Sequence, residues 1–367
     1  VRHFFTCVLI SVLLGGCSAV NPYYDPSRPH HTQEGFTNNY APTVNKSRAD
    51  LARWLWESYR NGLPKPPAAP IATQAPDLAA IHARSDRGAQ PQPAITWIGH
   101  GTMLVQSGRM NVLTDPIFSE RASAVSFIGP KRAQPPGVAL KDLPAINVVL
   151  ISHNHYDHLD RQTVLDLAAR SRGNGRAPTL FLVPLGVKPW FADLGITEVI
   201  EMDWWDWHIH QGVEFNFTPV QHWSARGFGD RNQTLWGGYA VFASDFHWYY
   251  AGDTGYSKDF SDTRDRFAIR HPGGFDLALI PVGAYEPRWF MKEQHINPAE
   301  AVQIHKDLGA RRSVGLHWGT FNLTDESLDQ PPRDLAQARL AQGLRDEEFS
   351  VMKIGETRPF PARTSRP

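Results

Sequence analysis

From position 94 onward the chain is made of short apolar runs that end in Gly, Asp or His, a texture that predicts strands. The runs cover 95–105, 111–114, 147–152, 179–183, 198–202 and 213–219, then 235–243, 248–251, 275–281 and 312–316. Several are continuously apolar, as strands are when both faces of their sheet are covered. Between them the spacing predicts helices over 160–170, 187–194 and 298–308. The last of these opens on Asn297 as cap, with Pro298 in the first turn and Glu300 three residues past the cap. Strands and helices interleaved in this way predict a layered α/β protein.

Ahead of position 94 the pattern is sparse. Residues 18–93 are rich in Pro, Asn and Arg and contain one amphipathic piece. Ser47 can cap a helix whose apolar positions Leu51, Trp54, Leu55 and Tyr59 recur at three- and four-residue spacing, before Gly62 and Pro64 stop it. This helix is expected to cover the main domain; the alternative is that Trp54, Leu55 and Trp56 touch lipid. The Pro- and Ala-rich stretch 64–93 is expected to be a stiff connector. At the start, Arg2 precedes an apolar run over 4–14 that is too short to span a bilayer. That run ends in Leu14-Gly15-Gly16-Cys17, which looks like a bacterial lipoprotein signal with Cys17 as the lipidated residue. Ser18 rather than Asp after the cysteine points to the outer membrane of a Gram-negative cell. The expected organisation is a signal at 1–17, an extension and linker at 18–93 and a catalytic domain at 94–360. The expected location is the periplasmic face of the outer membrane.

Composition changes this picture in two ways. Basic and acidic side chains balance at 37 each, so no charge surplus points to nucleic acid. The only cysteines are Cys7 and Cys17, both within the expected signal. A metal site in the mature domain must therefore be built from histidine and carboxylate.

Of the 16 histidines, three stand in one short run with an aspartate: His153-Asn154-His155-Tyr156-Asp157-His158. The run follows the apolar segment 148–151, and a strand ending in a tight loop can aim alternate side chains at one point. His153 and His155 can then share one metal, while Asp157 and His158 face a second. Two metals about 3.5–4 Å apart generate a bridging hydroxide and clamp an in-line displacement. Nitrogen and carboxylate donors suit Zn²⁺, with Mn²⁺ or Fe²⁺ possible. His222, Asp253 and His317 each follow a later strand. Alone, each reads as structural; together they complete two sites. The expected set is His153, His155 and His222 on one metal, Asp157, His158 and His317 on the other, and Asp253 between them.

His-x-His-x-Asp-His followed by three strand-end ligands resembles the metallo-β-lactamase superfamily. Longer stretches are similar to N-acylphosphatidylethanolamine-hydrolysing phospholipases D and their bacterial relatives. Among these stretches are Thr96-Trp97-Ile98-Gly99-His100-Gly101-Thr102, Leu113-Thr114-Asp115-Pro116-Ile117-Phe118-Ser119 and Gly129-Pro130-Lys131-Arg132. Others are Gln221-His222-Trp223, Ala251-Gly252-Asp253-Thr254-Gly255-Tyr256, Gly283-Ala284-Tyr285-Glu286-Pro287-Arg288 and His317-Trp318-Gly319-Thr320-Phe321. The likeness runs over 94–355 and, more faintly, 35–40. It implies a four-layer αββα sandwich with the metals at one edge, and phosphodiester chemistry on a phospholipid. It also places His295 near the substrate phosphate, where an imidazole beside a helix N-terminus would offer a positive hydrogen bond.

The function expected is a di-zinc phosphodiesterase in which the bridging hydroxide attacks phosphorus, with Asp157, Asp253 and His295 as catalytic groups. The alternatives are a lactonase, a β-lactam hydrolase and a non-enzymatic envelope lipoprotein. Asp115 and His100 are expected to orient ligands from behind. Tyr285, Arg288, Trp289, Phe290 and Met291 are read as groove or core, and His271 and His305 as surface residues. The expected partners are a phospholipid or other small phosphodiester and, through Cys17, a membrane. The oligomeric state is left open.

Overall fold

Why the sequence folds into layers is visible in its two hydrophobic clusters. In the computed structural model, which describes residues 20–41, 46–85, 92–172, 177–227 and 229–363, these clusters sit on the two sides of one sheet. The expected signal at 1–17, with Cys7 and Cys17, lies outside the described residues.

The extension carries β1 (His31–Thr32), β2 (Gly35–Phe36), α1 (Arg48–Asn61) and α2 (Leu78–Ala83). The first large sheet is then laid down by β3 (Ala94–Gly99), β4 (Thr102–Ser107), β5 (Met110–Thr114), β6 (Val148–Leu150), β7 (Leu180–Pro184) and β8 (Val199–Met202). Helices α3 (Arg161–Arg172) and α4 (Lys188–Asp193) make its crossovers. The second sheet is built from β9 (Trp207–His210), β10 (Val213–Thr218), β11 (Gly238–Phe242), β12 (His247–Tyr250), β13 (Leu277–Pro281), β14 (Ser313–Leu316) and β15 (Phe349–Val351). It carries α5 (Asp259–Phe267), the short α6 (Arg288–Met291), α7 (Pro298–Leu308) and α8 (Gln330–Ala341). Finally β16 (Thr357–Pro359) returns to the first sheet.

Each sheet has seven strands, ordered β16-β3-β4-β5-β6-β7-β8 and β15-β14-β13-β12-β11-β10-β9. Both switch from antiparallel to parallel pairing, at β5–β6 and at β12–β13. Alternation along β3 and β4 sends Ile95, Trp97, Met103 and Val105 to the core between the sheets, against Phe215, Phe217, Tyr239 and Val241. Ile98, Leu104, Leu113, Val149 and Phe181 point the other way and are covered by Leu159, Val164, Leu167 and Phe191. On the far side, Ala301, Val302 and Ile304 of α7 join the inter-sheet cluster's second face, beside α5 and α8. The result is the expected αββα sandwich.

The single strand expected at 95–105 is instead a hairpin. Gly99 at φ 133° and His100 at φ 53° break it, and a register shift between Trp97 and Gly99 marks the break. The pattern was apolar through the turn because the turn itself is buried. The helices α2, α5 and α8 and the strands β9, β15 and β16 were not expected; α5 and α8 are charged and β15 and β16 span three residues each.

The connector also behaves differently. Ile71 and Ile81 are buried, Thr73 bridges Ile354, and Asp329 accepts from the backbone N–H groups of Ala68 and Ala69. Residues 64–85 are therefore packed along the domain and do not act as a free spacer. Further upstream, His30 and His31 lie 2.6 and 2.8 Å from the two carboxylate oxygens of Asp203, which Arg28 also pairs. This clip fastens the start of the extension to the domain.

Candidate metal centre

Every candidate ligand lies just past the C-terminal end of a strand. His153 follows β6, His222 follows β10, Asp253 follows β12 and His317 follows β14. The two sheets bring these four ends to one edge of the sandwich. Tight backbone makes the convergence possible. A Cβ at Gly252 would sit 2.6 Å from Ser152 Cβ, and one at Gly283 would sit 2.2 Å from the His317 carbonyl oxygen. Three residues of the centre are held at positive φ without being glycine: Asp115 at 33°, His100 at 53° and His317 at 64°. Such strain persists where the surroundings over-determine it, most often at functional sites.

The donor atoms form two groups. In the first, His155 Nδ1 is 2.8 Å from His153 Nε2 and 3.3 Å from His222 Nε2. In the second, His158 Nε2 is 3.1 Å from His317 Nε2, and Asp157 Oδ2 is 3.3 and 3.4 Å from these two nitrogens. Asp253 lies between the groups. Its Oδ1 is 3.1 Å from His317 Nε2, and its Oδ2 is 3.2 Å from His158 Nε2 and 4.0 Å from both His153 and His222.

These contacts are not ordinary hydrogen bonds. His153 Nδ1 faces Ser152 Oγ at 2.9 Å, His222 Nδ1 faces the Gln294 carbonyl at 3.0 Å, and His158 Nδ1 faces Asp115 Oδ2 at 2.7 Å. An imidazole that donates from its outer nitrogen presents a lone pair on its inner one. The inner nitrogens of the neutral His153 and His222 therefore turn lone pairs toward the same space and toward Asp253 Oδ2, an arrangement that a cation relieves. Donors held about 2.1 Å from a common metal are about 3.0–3.4 Å apart in octahedral or tetrahedral geometry, close to the spacings seen here. The seven residues thus fit two metal ions.

Electrostatics separates the two groups. Burial holds His153 and His222 well below the usual imidazole range and His155 at about 4, so all three are neutral at pH 7. Burial also acts on His158 and His317, but Asp253 and Asp157 outweigh it. They raise His158 well above its ordinary value and His317 to about 9. Against the same burial, His158 and its neighbours hold Asp157 and Asp253 ionised, far below the usual carboxylate range.

Asp115 is the hub behind both groups. It is fully buried and accepts from His158 Nδ1, Ser152 N at 2.7 Å, Ser152 Oγ at 2.5 Å and the Tyr250 hydroxyl. Because Ser152 also meets His153, one carboxylate steadies a ligand of each group. His100, 2.9 Å from Asp157 Oδ2, does the same for that aspartate. Arg226 donates to the carbonyls of Asn154 and Leu159, both at 2.8 Å, and lies over the Tyr156 ring, clamping the ligand loop.

Comparison with known proteins identifies the family. A family model described as a beta-lactamase superfamily domain matches residues 110–318, which contain all seven donors. N-acyl-phosphatidylethanolamine-hydrolyzing phospholipase D 1 of Caenorhabditis elegans is 40% identical over 274 residues, covering 71% of this chain and 74% of the worm protein. The chain belongs to the metallo-β-lactamase superfamily of metal-dependent hydrolases. The mitochondrial N-acyl-phosphatidylethanolamine-hydrolyzing phospholipase D of Saccharomyces cerevisiae is 34% identical over 72% of this chain and 55% of the yeast protein. Among solved structures, Igni18, a metallo hydrolase from Ignicoccus hospitalis, shares the fold. Its TM-score is 0.54 at 20% identity, over 73% of this chain and 98% of that one.

Within this metallo-β-lactamase centre the remaining residues divide. His295 reaches it: its Nδ1 is 3.8 Å from Asp253 Oδ2, and its ring centroid is 5.3 Å from that of His222. Burial sets its pKa at about 4, so it enters as a neutral imidazole and not as the positive group expected from sequence. Arg288 donates to the His295 carbonyl at 2.8 Å and pairs with Glu300 of α7, so it positions this histidine. Tyr285 points away, donating to Asp334. Phe290 and Met291 are buried and Trp289 is exposed. His305, expected at the surface, is buried with Nδ1 2.8 Å from Ser313 Oγ, and His271 stacks half-buried on Phe242.

Sequence reasoning missed Ser152, Tyr250, Arg226 and Asn38. Asn38 Oδ1 accepts from the backbone N–H of His222 at 3.1 Å and from Trp236 Nε1 at 3.0 Å, so the extension braces a ligand directly. Its signal was the faint likeness over 35–40.

Proposed function

We propose that this hydrolase is a two-metal phosphodiesterase that cleaves phospholipid headgroup esters. His153, His155 and His222 would hold one ion, Asp157, His158 and His317 the other, with Asp253 shared. The observation that carries this reading is the carboxylate of Asp253, whose Oδ2 lies between the two donor groups, 3.2 Å from His158 of one and 4.0 Å from His153 and His222 of the other. Zn²⁺ suits neutral imidazole and carboxylate donors, and Mn²⁺ or Fe²⁺ are compatible with them. Two ions bound here supply Lewis acidity and an activated water for in-line displacement at phosphorus.

The chain's own residues do the rest. Asp115, His100 and Ser152 fix the ligand side chains, so little reorganisation is needed as charge builds on the phosphoryl oxygens. His295 stands just before α7, with Nδ1 lacking a hydrogen-bond partner among the described residues, and offers a neutral contact to a phosphate oxygen. Asp157 and Asp253 orient the attacking water and pass its proton to the departing alkoxide. The names of the worm and yeast relatives support N-acylphosphatidylethanolamine as substrate. Water would add to phosphorus as the bond to the ethanolamine oxygen breaks, giving phosphatidate and an N-acylethanolamine. Residues 94–360 would be the catalytic domain, 18–93 its extension, and Cys17 a lipid anchor at the periplasmic face of the outer membrane.

The test is a substrate panel assayed with metal-loaded protein: N-acylphosphatidylethanolamine, bis(p-nitrophenyl) phosphate, an acyl-homoserine lactone and a β-lactam. Turnover of the two diesters above the carbonyl substrates is expected. Preference for the lactone or β-lactam would replace this reading with carbonyl hydrolysis at the same centre.

A further inference from the structure

Helix α1 carries its apolar residues on the outside. A surface helix normally buries its apolar stripe and turns charge to water. Here none of the residues of α1 is buried, and Leu55, Trp56 and Tyr59 are 56%, 61% and 80% exposed. The side that meets the domain is small and largely polar. Trp54 stacks on Phe290 at 4.9 Å, and Trp54 Nε1 and Ser58 Oγ both donate to Asp325, at 3.0 and 2.6 Å. The helix is nevertheless well terminated, with a Ser47–Asp50 capping box and Gly62 in the left-handed conformation.

A second apolar tip stands in the loop after β5. Phe127 and Ile128 are 80% and 62% exposed. The feet of this loop are fixed: Ser119 donates to Asp160 at 2.7 Å, Ala122 N to the Pro130 carbonyl at 3.0 Å, and Arg132 bridges Phe321. Phe321 packs edge-on against His100 of the metal centre at 5.1 Å. The segment 321–325 therefore joins the two features, with Phe321 under the loop and Asp325 under α1. On the other side, Lys46 pairs with Glu293 at 3.1 Å, two residues before His295. Both apolar tips thus flank the edge of the sandwich that carries the metals.

Charge says what covers them. The whole chain is neutral, yet residues 46–65 hold five basic side chains (Lys46, Arg48, Arg53, Arg60, Lys65) against Asp50 and Glu57. Residues 119–133 hold Arg121 and Lys131 against Glu120, while Arg132 turns its guanidinium under the loop onto Phe321. Exposed Trp, Tyr, Phe and Leu flanked by Arg and Lys match the interface of an anionic bilayer, where the rings sit at headgroup depth and the cations meet phosphate.

We infer that α1 and the 125–128 tip are a bilayer-docking surface that seats the metal centre against anionic lipid. The inference rests on the phospholipid reading above, since a diester substrate with acyl chains must be taken from a membrane. The occupant is a lipid surface, not a second copy of the chain.

The test is hydrogen exchange on the full chain with vesicles of phosphatidylcholine and phosphatidylglycerol, and with phosphatidylcholine alone. Slowed exchange in 48–61 and 123–130 with the anionic vesicles, and no change in β9, is expected. No protection in either segment would overturn the inference. Protection that appears without vesicles as protein concentration rises would also overturn it, in favour of self-association. A Leu55→Ser, Trp56→Ser, Tyr59→Ser variant should keep its thermal midpoint and its rate on soluble bis(p-nitrophenyl) phosphate, and lose at least about fivefold on a vesicle-borne diester. Equal rates on the vesicle substrate would count against docking. If the unaltered chain cleaves no diester at all, the phospholipid reading fails, while the exchange result still decides the docking.

Discussion

The two halves of the candidate metal centre are built from the same fold edge and a similar number of donors, yet one is neutral and the other is filled with charged groups. The His153–His155–His222 half is all imidazole, and burial keeps it neutral. The Asp157–His158–His317 half is loaded with carboxylate and, in the absence of a cation, holds protons on His158 and His317. The difference teaches how one protein can make two neighbouring sites of unequal character. The first half is preset by burial and by outer hydrogen bonds to Ser152 and Gln294, and a cation enters it without displacing protons. In the second half a cation replaces protons that the aspartates have attracted. Asp253 lies between the two, and Asp115 ties them together from behind.

The largest effect should come from removing what the halves share. Asp253→Asn is expected to lower diester turnover by about 10³-fold or more while the fold is kept, as read by circular dichroism and steady-state rates. Removing one half should be separable from removing the other. His158→Ala is expected to leave about one bound equivalent by elemental analysis, held by the imidazole half, whereas a protein that loses both ions would show that the halves do not bind independently. A smaller effect is predicted behind the ligands. Asp115→Asn should weaken binding in both halves by about 10- to 100-fold in calorimetry, and Ser152→Ala should weaken only the imidazole half, because Ser152 reaches His153 and not His158. A last contrast lies in pH dependence. His317 at about 9 is protonated below that pH, so binding in its half should weaken as pH falls from 9 toward 6. The imidazole half, with His155 at about 4, should change little over that range. Equal pH slopes for the two equivalents would erase the contrast.

How much of this was legible in the sequence depended on whether the signal was local. The run 153–158 sits within six residues at a strand end, so the convergence of its side chains could be read directly. His222, Asp253 and His317 were legible as strand-end residues, and apolar runs alternating with helices predicted a layered α/β protein, while the αββα order came from the family resemblance. Residues whose role comes from distant partners were not legible. Ser152 is one small polar residue among many until β5 brings Asp115 beside it, and Tyr250 reads as strand until its hydroxyl meets the same carboxylate. The hairpin at Gly99-His100-Gly101 was hidden because a buried turn keeps the apolar pattern of a strand. The neutral state of His295 also follows from burial, which no spacing records. For α1, sequence left two readings open, cover or lipid contact. The structure divides them by residue, with Trp54 toward the domain and Leu55, Trp56 and Tyr59 toward solvent.

The shared carboxylate is tested most directly by calorimetric titration of the metal-free protein with Zn²⁺ near pH 7.5, alongside Asp253→Asn. Two equivalents are predicted for the natural sequence, the second accompanied by proton release that varies with buffer ionisation heat, and both weakened in Asp253→Asn. A single equivalent, or two that are unaffected by the loss of Asp253, would contradict a two-metal centre bridged at that residue.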